Sequence, residues 1–267
     1  MHTHTCFSHD SQADPEEVCK EGIRQGLFGL AFTDHLDCEY YENPATETNI
    51  DLSFEKAKNL RGRFRGNIMI NAGAELGDAL FCPALAEKMT KKHDWDVILL
   101  SVHAVRMKGH DIPFSQIDFG RESDGFINDY LTYYFNDLLE TVNTFDYDVL
   151  SHLTVPLRYI VKKYGRNADV KKYYPVIREI LKKVVSDGKT LEINTSGYPF
   201  LMPDGEILSL YRELGGEKIT IGSDAHVPQN VSFGLRETAE YLYNNGFDRL
   251  IYYHKRTPHE YYLGQTK

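Results

Sequence analysis

A chain of 267 residues is long enough for one large domain with a substantial core. Its formal charge of −9, from 30 basic and 39 acidic side chains, leaves no basic excess for a polynucleotide backbone and argues against a general binder of long nucleic acid. A small phosphorylated ligand stays open, because bound cations would reverse the local field. No apolar run of about 18 residues occurs and no signal-like segment follows Met1, so a cytoplasmic enzyme with no membrane partner is expected. The four cysteines, Cys6, Cys19, Cys38 and Cys82, form no CxxC pair and read as reduced thiols.

The chain opens on His2-Thr3-His4, two imidazoles that a β-strand would turn to one face, with Asp10 six residues further on. Asp14-Pro15-Glu16-Glu17 combines an N-cap, a proline at the first helical position and acids in the first turn, which predicts a helix to about Gln25 with Gly26 beyond its end. Leu30 to Thr33 reads as a short strand ending in Asp34-His35-Leu36-Asp37. Residues 38–50 are polar and turn-rich, and helical periodicity returns over 52–65. Asn67 to Leu76 predicts a strand with Glu75 at its carboxyl end; a helix over 83–92 leads to an apolar run from Asp96 to His103.

Residues 108–125 read as a loop, 126–143 as a tyrosine-rich helix, and 147–152 as a strand closing on His152. An amphipathic helix follows from Lys171 to Ser186, stopped by Gly188. Thr190 to Asn194 is a strand, 207–214 a short helix, and Lys218 to His226 the last strong strand, carrying Asp224 and His226. A helix near 233–245 and a short strand from Arg249 close the chain. Strands alternating with helices, about seven units with few hairpin signals, predict a parallel α/β sheet, either a barrel or an open doubly wound sheet. Both put functional groups at the carboxyl ends of strands. Without a linker or repeat, residues 1–267 form a single domain on this reading.

Selected by place, the candidates for one rim are His2, His4, Asp10, His35, Glu75, His103, His152, Asp224 and His226. His9, His93, His110, His254 and His259 fall in loops or helices and are left out. A lone histidine is more often a packing or surface residue, but nine such groups at separate strand ends are poorly explained by chance. Mixed imidazole and carboxylate donors suit Zn²⁺, Mn²⁺ or Fe²⁺ rather than an all-oxygen ion. At about four ligands per ion, with a bridging carboxylate, nine groups imply two or three divalent ions. Such a cluster suits hydrolysis of a phosphate ester.

In chain order, His2-Thr3-His4-Thr5 with Ser8 and Asp10, Thr33-Asp34-His35, Gly73-Ala74-Glu75, Ser101-Val102-His103, Ser151-His152 and Gly222-Ser223-Asp224-Ala225-His226 resemble the motifs of the PHP (polymerase and histidinol phosphatase) superfamily. The stretches 150–159, 191–197 and 211–217 resemble its histidinol-phosphate phosphatase branch. The resemblance implies a distorted (β/α)7 barrel of TIM-like type with a trinuclear centre. His2, His4, Glu75 and Asp224 would hold the first ion, Glu75 would bridge to a second held by His103 and His152, and Asp10, His35 and His226 would hold the third. The implied reaction is L-histidinol phosphate plus water giving L-histidinol and phosphate, a step of histidine biosynthesis, by attack of a metal-bound hydroxide.

Arg158 and Arg106 follow ligand histidines closely and are expected to contact substrate phosphate, Arg158 with a catalytic role. Asp34 is expected to orient His35 or to meet a leaving-group proton. Tyr198-Pro199-Phe200 stands where the phosphatase branch often carries a basic residue. Alternatives are a PHP enzyme acting on another small phosphate ester or a nucleotide, and a non-catalytic metal-binding domain. A homodimer is compatible with either.

Overall fold

The computed structural model describes residues 1–38, 44–109 and 111–264. Helix α1 (Pro15–Arg24) begins as its caps require, with Asp14 Oδ1 accepting from the amides of Glu16 (2.7 Å) and Glu17 (3.1 Å), and Gly26 leaves it at φ +72°. The chain continues through β1 (Gly29–Phe32), β2 (His35–Asp37), α2 (Pro44–Arg63), β3 (Met69–Gly77), α3 (Pro83–Thr90), β4 (Val97–Ser101), α4 (Asp124–Thr144) and β5 (Val149–Leu150). It ends with α5 (Tyr174–Ser186), β6 (Thr190–Asn194), α6 (Gly205–Glu213), β7 (Ile219–Gly222), α7 (Leu235–Asn244), β8 (Arg249–His254) and β9 (Thr257–Tyr262). Helix α2 starts earlier than the turn-rich reading of 38–50 allowed; His110 and residues 39–43 lie outside the described residues.

Seven parallel strands form one curled sheet in the order β1-β3-β4-β5-β6-β7, with β2 also on β3. β1 pairs with Met69–Ala72 and β2 with Glu75–Gly77, so the two are one strand bent at Thr33-Asp34. The opening segment is not a full strand but a single parallel bridge, Thr3 to Ala225. It joins the two edges of the sheet: Thr33 N donates to Thr3 O (2.9 Å), His4 N to Ala225 O (2.9 Å) and Asp224 N to His2 O (3.0 Å). The expected distorted barrel is thus present, closed at its carboxyl rim by residues 2–4.

Strand alternation divides the molecule into two cores. Outward positions such as Ile70, Ala72, Leu76, Ile98, Leu100, Leu191 and Ile193 join the helices in the main core. Inward positions are apolar only at the floor of the barrel, where Ala31, Val97, Leu99 and Val149 meet Met1, Ile251 and Tyr253. Higher up the same inward rows carry Glu75, Ser101, Ser151 and Glu192, all buried. Burying that many polar groups is costly unless each is paired or shared with a cation.

Two features depart from expectation. The C-terminal segment is a hairpin rather than a lone strand, with β8 and β9 antiparallel beneath the barrel. Its two-residue turn, Lys255 and Arg256, takes φ of 49° and 58°, the type I′ geometry that Asn-Gly usually signals. Tertiary bonds hold the turn: Lys255 N donates to Asp96 Oδ1 (3.0 Å), Arg256 N to Asp96 O (2.8 Å) and Arg256 Nε to Asp148 Oδ2 (2.8 Å). Arg256→Ala should lower unfolding stability by about 2 kcal/mol, because it strips a partner from the buried Asp148 carboxylate; a denaturant titration measures it. The second departure is that Cys38 and Cys82 form a disulfide, while Cys6 and Cys19 are free thiols. Cys38 directly follows β2, and Cys82 stands before α3 just beyond the neighbouring β3, so cysteines 44 residues apart meet, a proximity no local spacing announces.

Candidate metal centre

All nine candidate ligands converge at the carboxyl rim. Seven line a cleft of about 250 Å³, namely Asp10, His35, Glu75, His103, His152, Asp224 and His226, while His2 and His4 lie buried beneath it. Register explains the meeting of His35 with Glu75, which are direct partners across β2 and β3. Asp224 sits just past β7 at φ +50°, a left-handed conformation that aims its carboxylate inward over the opening histidines. The loop read at 108–125 contains a short 3₁₀ turn, Phe114–Gln116, and a π-helical turn covers Arg158–Lys163. Together they set Pro113, Phe114, Val155 and Tyr159 as one wall of the cleft.

Hydrogen bonds at the outer ring nitrogens fix how the imidazoles face. His2 Nδ1 donates to Glu192 Oε1 (2.8 Å) and His103 Nδ1 to Asp37 Oδ1 (3.2 Å). His226 Nδ1 donates to the Asp224 carbonyl (2.9 Å). Ser8 Oγ donates to Asp34 Oδ1 (2.7 Å) and so accepts from His4 Nδ1 (3.0 Å). With Nδ1 protonated in all four, their Nε2 lone pairs point into the centre. Those of His2 and His4 lie 3.0 Å apart, each 3.4 Å from Glu75 Oε2, and 3.7 Å and 3.2 Å respectively from Asp224 Oδ1. His226 Nε2 faces Asp10 Oδ2 at 3.1 Å and His103 Nε2 faces Glu75 Oε1 at 3.4 Å.

Lone pairs set against carboxylates repel unless a positive charge lies between them. In the protein alone a proton supplies it: burial pulls the His2 imidazole down, but Glu192, Glu75 and Asp224 outweigh burial and raise its pKa to about 10. His4 goes the other way, to about 3, through burial and the neighbouring His35 and His226. Burial also opposes ionisation of Glu75, yet His2 and His103 hold its carboxyl well below the usual range. Among the described residues, buried Glu75 Oε2, His35 Nδ1 and His152 Nδ1 make no well-aligned hydrogen bond, although His35 Nδ1 lies 3.0 Å from Glu75 Oε2. Four overlapping triads among the described residues have donor atoms within 4.8 Å of one another: His4/His35/His226, His2/His4/Asp224, His2/Glu75/His152 and His35/Glu75/His103. Donor type, tautomer and unsatisfied atoms all fit a cluster of divalent cations.

The other expected residues divide. Arg158 lines the cleft, with a guanidinium 3.5 Å from Asp224 Oδ2. Arg106 does not reach it: its guanidinium is bound by Asp137 (2.7 Å) and Glu140 (2.5 Å) on α4. Arg106→Ala should therefore leave KM for a phosphate ester unchanged, while costing about 1–2 kcal/mol of stability because it takes a partner from the buried Asp137 carboxylate; steady-state kinetics with a melting curve checks both. Asp34 is neither at the cleft nor on the His35 ring. Its carboxylate is fully used by Thr5 N (2.6 Å), Thr5 Oγ1 (2.8 Å), Ser8 Oγ (2.7 Å) and Ser53 Oγ (2.5 Å), and it holds His4 through Ser8. Tyr198 packs edge-on to Phe233 and does not line the cleft.

Sequence reasoning passed over three residues. Asp37 lines the cleft and sits 3.4 Å from His35 Nδ1; at i+2 from His35 on a strand, period two could have found it. Glu192 is buried mid-strand, and an acid inside an apolar run demands a partner. His9 stands at the mouth, its ring 5.0 Å from that of His35. Close approach also explains Gly77, where a Cβ would overlap Asp37 Oδ1 and come within 2.9 Å of His103 Nδ1.

Comparison with known proteins extends the geometry. A family model described as PHP domain matches residues 1–196. The chain is 28% identical over 258 residues to a probable histidinol-phosphatase of Thermotoga maritima, spanning 94% of this chain and 93% of that one. It is 26% identical over 262 residues to a histidinol-phosphatase of Lactococcus lactis, at 93% and 91% coverage. A crystal structure of histidinol phosphate phosphatase from Lactococcus lactis, complexed with Zn, L-histidinol and phosphate, superposes with a TM-score of 0.81 over 97% of each chain at 23% identity.

Proposed function

We infer the function from the premise that this chain belongs to the PHP domain family: it is a metal-dependent phosphomonoesterase that hydrolyses L-histidinol phosphate to L-histidinol and phosphate. The observation that carries the chemistry is the set of inward Nε2 lone pairs facing Glu75, Asp224 and Asp10, beside an arginine at the open side. Similarity over more than nine-tenths of relatives bearing the histidinol-phosphatase name carries the substrate.

His2, His4, Glu75 and Asp224 would hold one divalent ion. Glu75 with His103 and His152 would hold a second, and Asp10, His35 and His226 a third. Zn²⁺, Mn²⁺ and Fe²⁺ suit these donors, and zinc is the ion named in the Lactococcus lactis structure. Such ions, when bound, neutralise charge on a phosphoryl group and lower the pKa of water. The chain's own residues do the rest. Arg158 presents paired donors toward phosphate oxygens from the rim. Asp37, Glu192 and Ser8 keep the rings oriented so that no reorganisation is needed during the reaction. Phe114, Val155 and Tyr159 offer apolar surface to the organic part of a small ester and shed water from the cleft.

The test is a panel of phosphate monoesters, nucleotides included, assayed with added Mn²⁺, Zn²⁺ or Fe²⁺. Histidinol phosphate should give the highest kcat/KM. A preference for another ester or a nucleotide would move the chain to a different substrate within the family. No hydrolysis by a metal-replete protein would leave a purely metal-binding domain.

A further inference from the structure

We propose that Glu192, Asn194 and Ser196 are positioning residues that lock the metal ligands His2 and His152 to the rim arginine Arg158, so that ion binding and phosphate binding share one rigid support. The three lie at alternate positions along β6 and just beyond it, which turns them to the same, inward side. Glu192 Oε1 accepts from His2 Nδ1 (2.8 Å), and its Oε2 accepts from the His152 amide (2.8 Å) and from Asn194 Nδ2 (3.1 Å). Asn194 Oδ1 then accepts from Ser196 N (3.0 Å) and Ser196 Oγ (2.7 Å). Ser196 Oγ in turn accepts from Arg158 Nη1.

Each link has a single polarity. The serine hydroxyl proton is committed to Asn194, so its lone pairs face the guanidinium, which has donors only. The Asn194 amide is oriented by the same logic, because only its nitrogen can face the Glu192 carboxylate. No member can flip without breaking a bond at its neighbour. Space is equally restricted: a Cβ at Gly222 would overlap Glu192 Oε1 and come within 2.6 Å of His2 Cβ, so β7 presses the glutamate onto the histidine. Arg158 is also tied to Asp224, which faces His2 and His4, and the support therefore returns to the ion site by a second route.

The proposal rests on the phosphomonoesterase reading for its kinetic arm alone. Purified Ser196→Ala, Ser196→Thr, Arg158→Ala, the Ser196→Ala/Arg158→Ala double variant and Glu192→Gln are compared for ions per chain, for binding of inorganic phosphate by calorimetry, and for KM and kcat with histidinol phosphate. Ser196→Ala should weaken phosphate binding and raise KM about tenfold at unchanged ion content, the cost of releasing one bond to a charged group. Ser196→Thr, which keeps the hydroxyl, should recover most of the loss. In the Arg158→Ala background Ser196→Ala should add nothing. Glu192→Gln should reduce ion affinity by about ten- to a hundredfold. Ser196→Ala with wild-type phosphate affinity, or effects of Ser196→Ala and Arg158→Ala that simply add, would overturn the link. Because Ser196 is half-buried, its variants decide the matter even where Glu192→Gln does not fold. If the wild type hydrolyses no ester, the functional reading falls, while ion content and phosphate affinity still judge the support.

Discussion

Glu75→Gln is expected to abolish hydrolysis, with kcat at least about a thousandfold down, while the fold survives. The substitution is nearly isosteric at a fully buried site, so packing changes little. Its electrostatic effect is large, because both oxygens of Glu75 are engaged. Oε2 lies 3.0–3.4 Å from His35 Nδ1, His2 Nε2 and His4 Nε2, and Oε1 lies 2.7 Å from His152 Nε2 and 3.4 Å from His103 Nε2. An amide removes the charge that balances these donors and turns N–H groups toward at least one set of them. Ion analysis should show loss of the ions that share this residue. A Glu75→Gln protein with full ion content and full activity would refute its assignment as the bridge.

Chelation should have an effect as complete, and reversible. Removing the ions with a strong chelator should eliminate activity, and adding back Zn²⁺ or Mn²⁺ should restore it. The stripped protein should also be less stable, by about 3 kcal/mol for each ion normally present at a hundred times its dissociation constant. The pH dependence has a definite sign. An ion needs neutral imidazoles, whereas His2 without one has its pKa raised to about 10, and His35, His103 and His226 are raised as well. In each, burial works against the rise, and carboxylates overcome it: Asp37 at His35 and His103, Asp10 at His226. Protons thus compete with the ions from well above the usual imidazole range. Ion content should fall as pH is lowered, and loading the stripped protein near neutrality should release protons. Loading without proton release, measured in buffers of different ionisation enthalpy, would contradict this charge balance.

Much of the fold was legible because its signals are local. Asp14-Pro15 fixes one helix start, and β6 runs over Thr190–Asn194 as its apolar pattern predicts. The site was legible because a parallel α/β barrel sends every strand end to one rim, so position along the chain stands in for position in space. What stayed hidden depends on contacts between distant segments. The Lys255-Arg256 turn carries no hairpin signal, and its geometry is held by Asp96 and Asp148 from the far side of the floor. The Cys38–Cys82 bond spans 44 residues. Arg106 and Arg158 look alike in sequence, each a few residues past a histidine that is a ligand candidate. Only Asp137 and Glu140, on a helix packed outside the barrel, draw Arg106 away. Asp34 likewise seemed a candidate for chemistry because the three hydroxyls that saturate it come from two distant segments, Thr5 and Ser8 from the opening one and Ser53 from α2.

The three hydrogen bonds of residues 2–4 across the sheet's two edges make the opening segment a keystone. Two of its three side chains are also ligand candidates, so the peptide whose backbone shuts the ring is the one whose imidazoles would grip an ion. An ion bound there should tighten the hoop, and its removal should loosen it first between Thr33 and Ala225. Cofactor occupancy and mechanical integrity would in this way be linked through one short peptide.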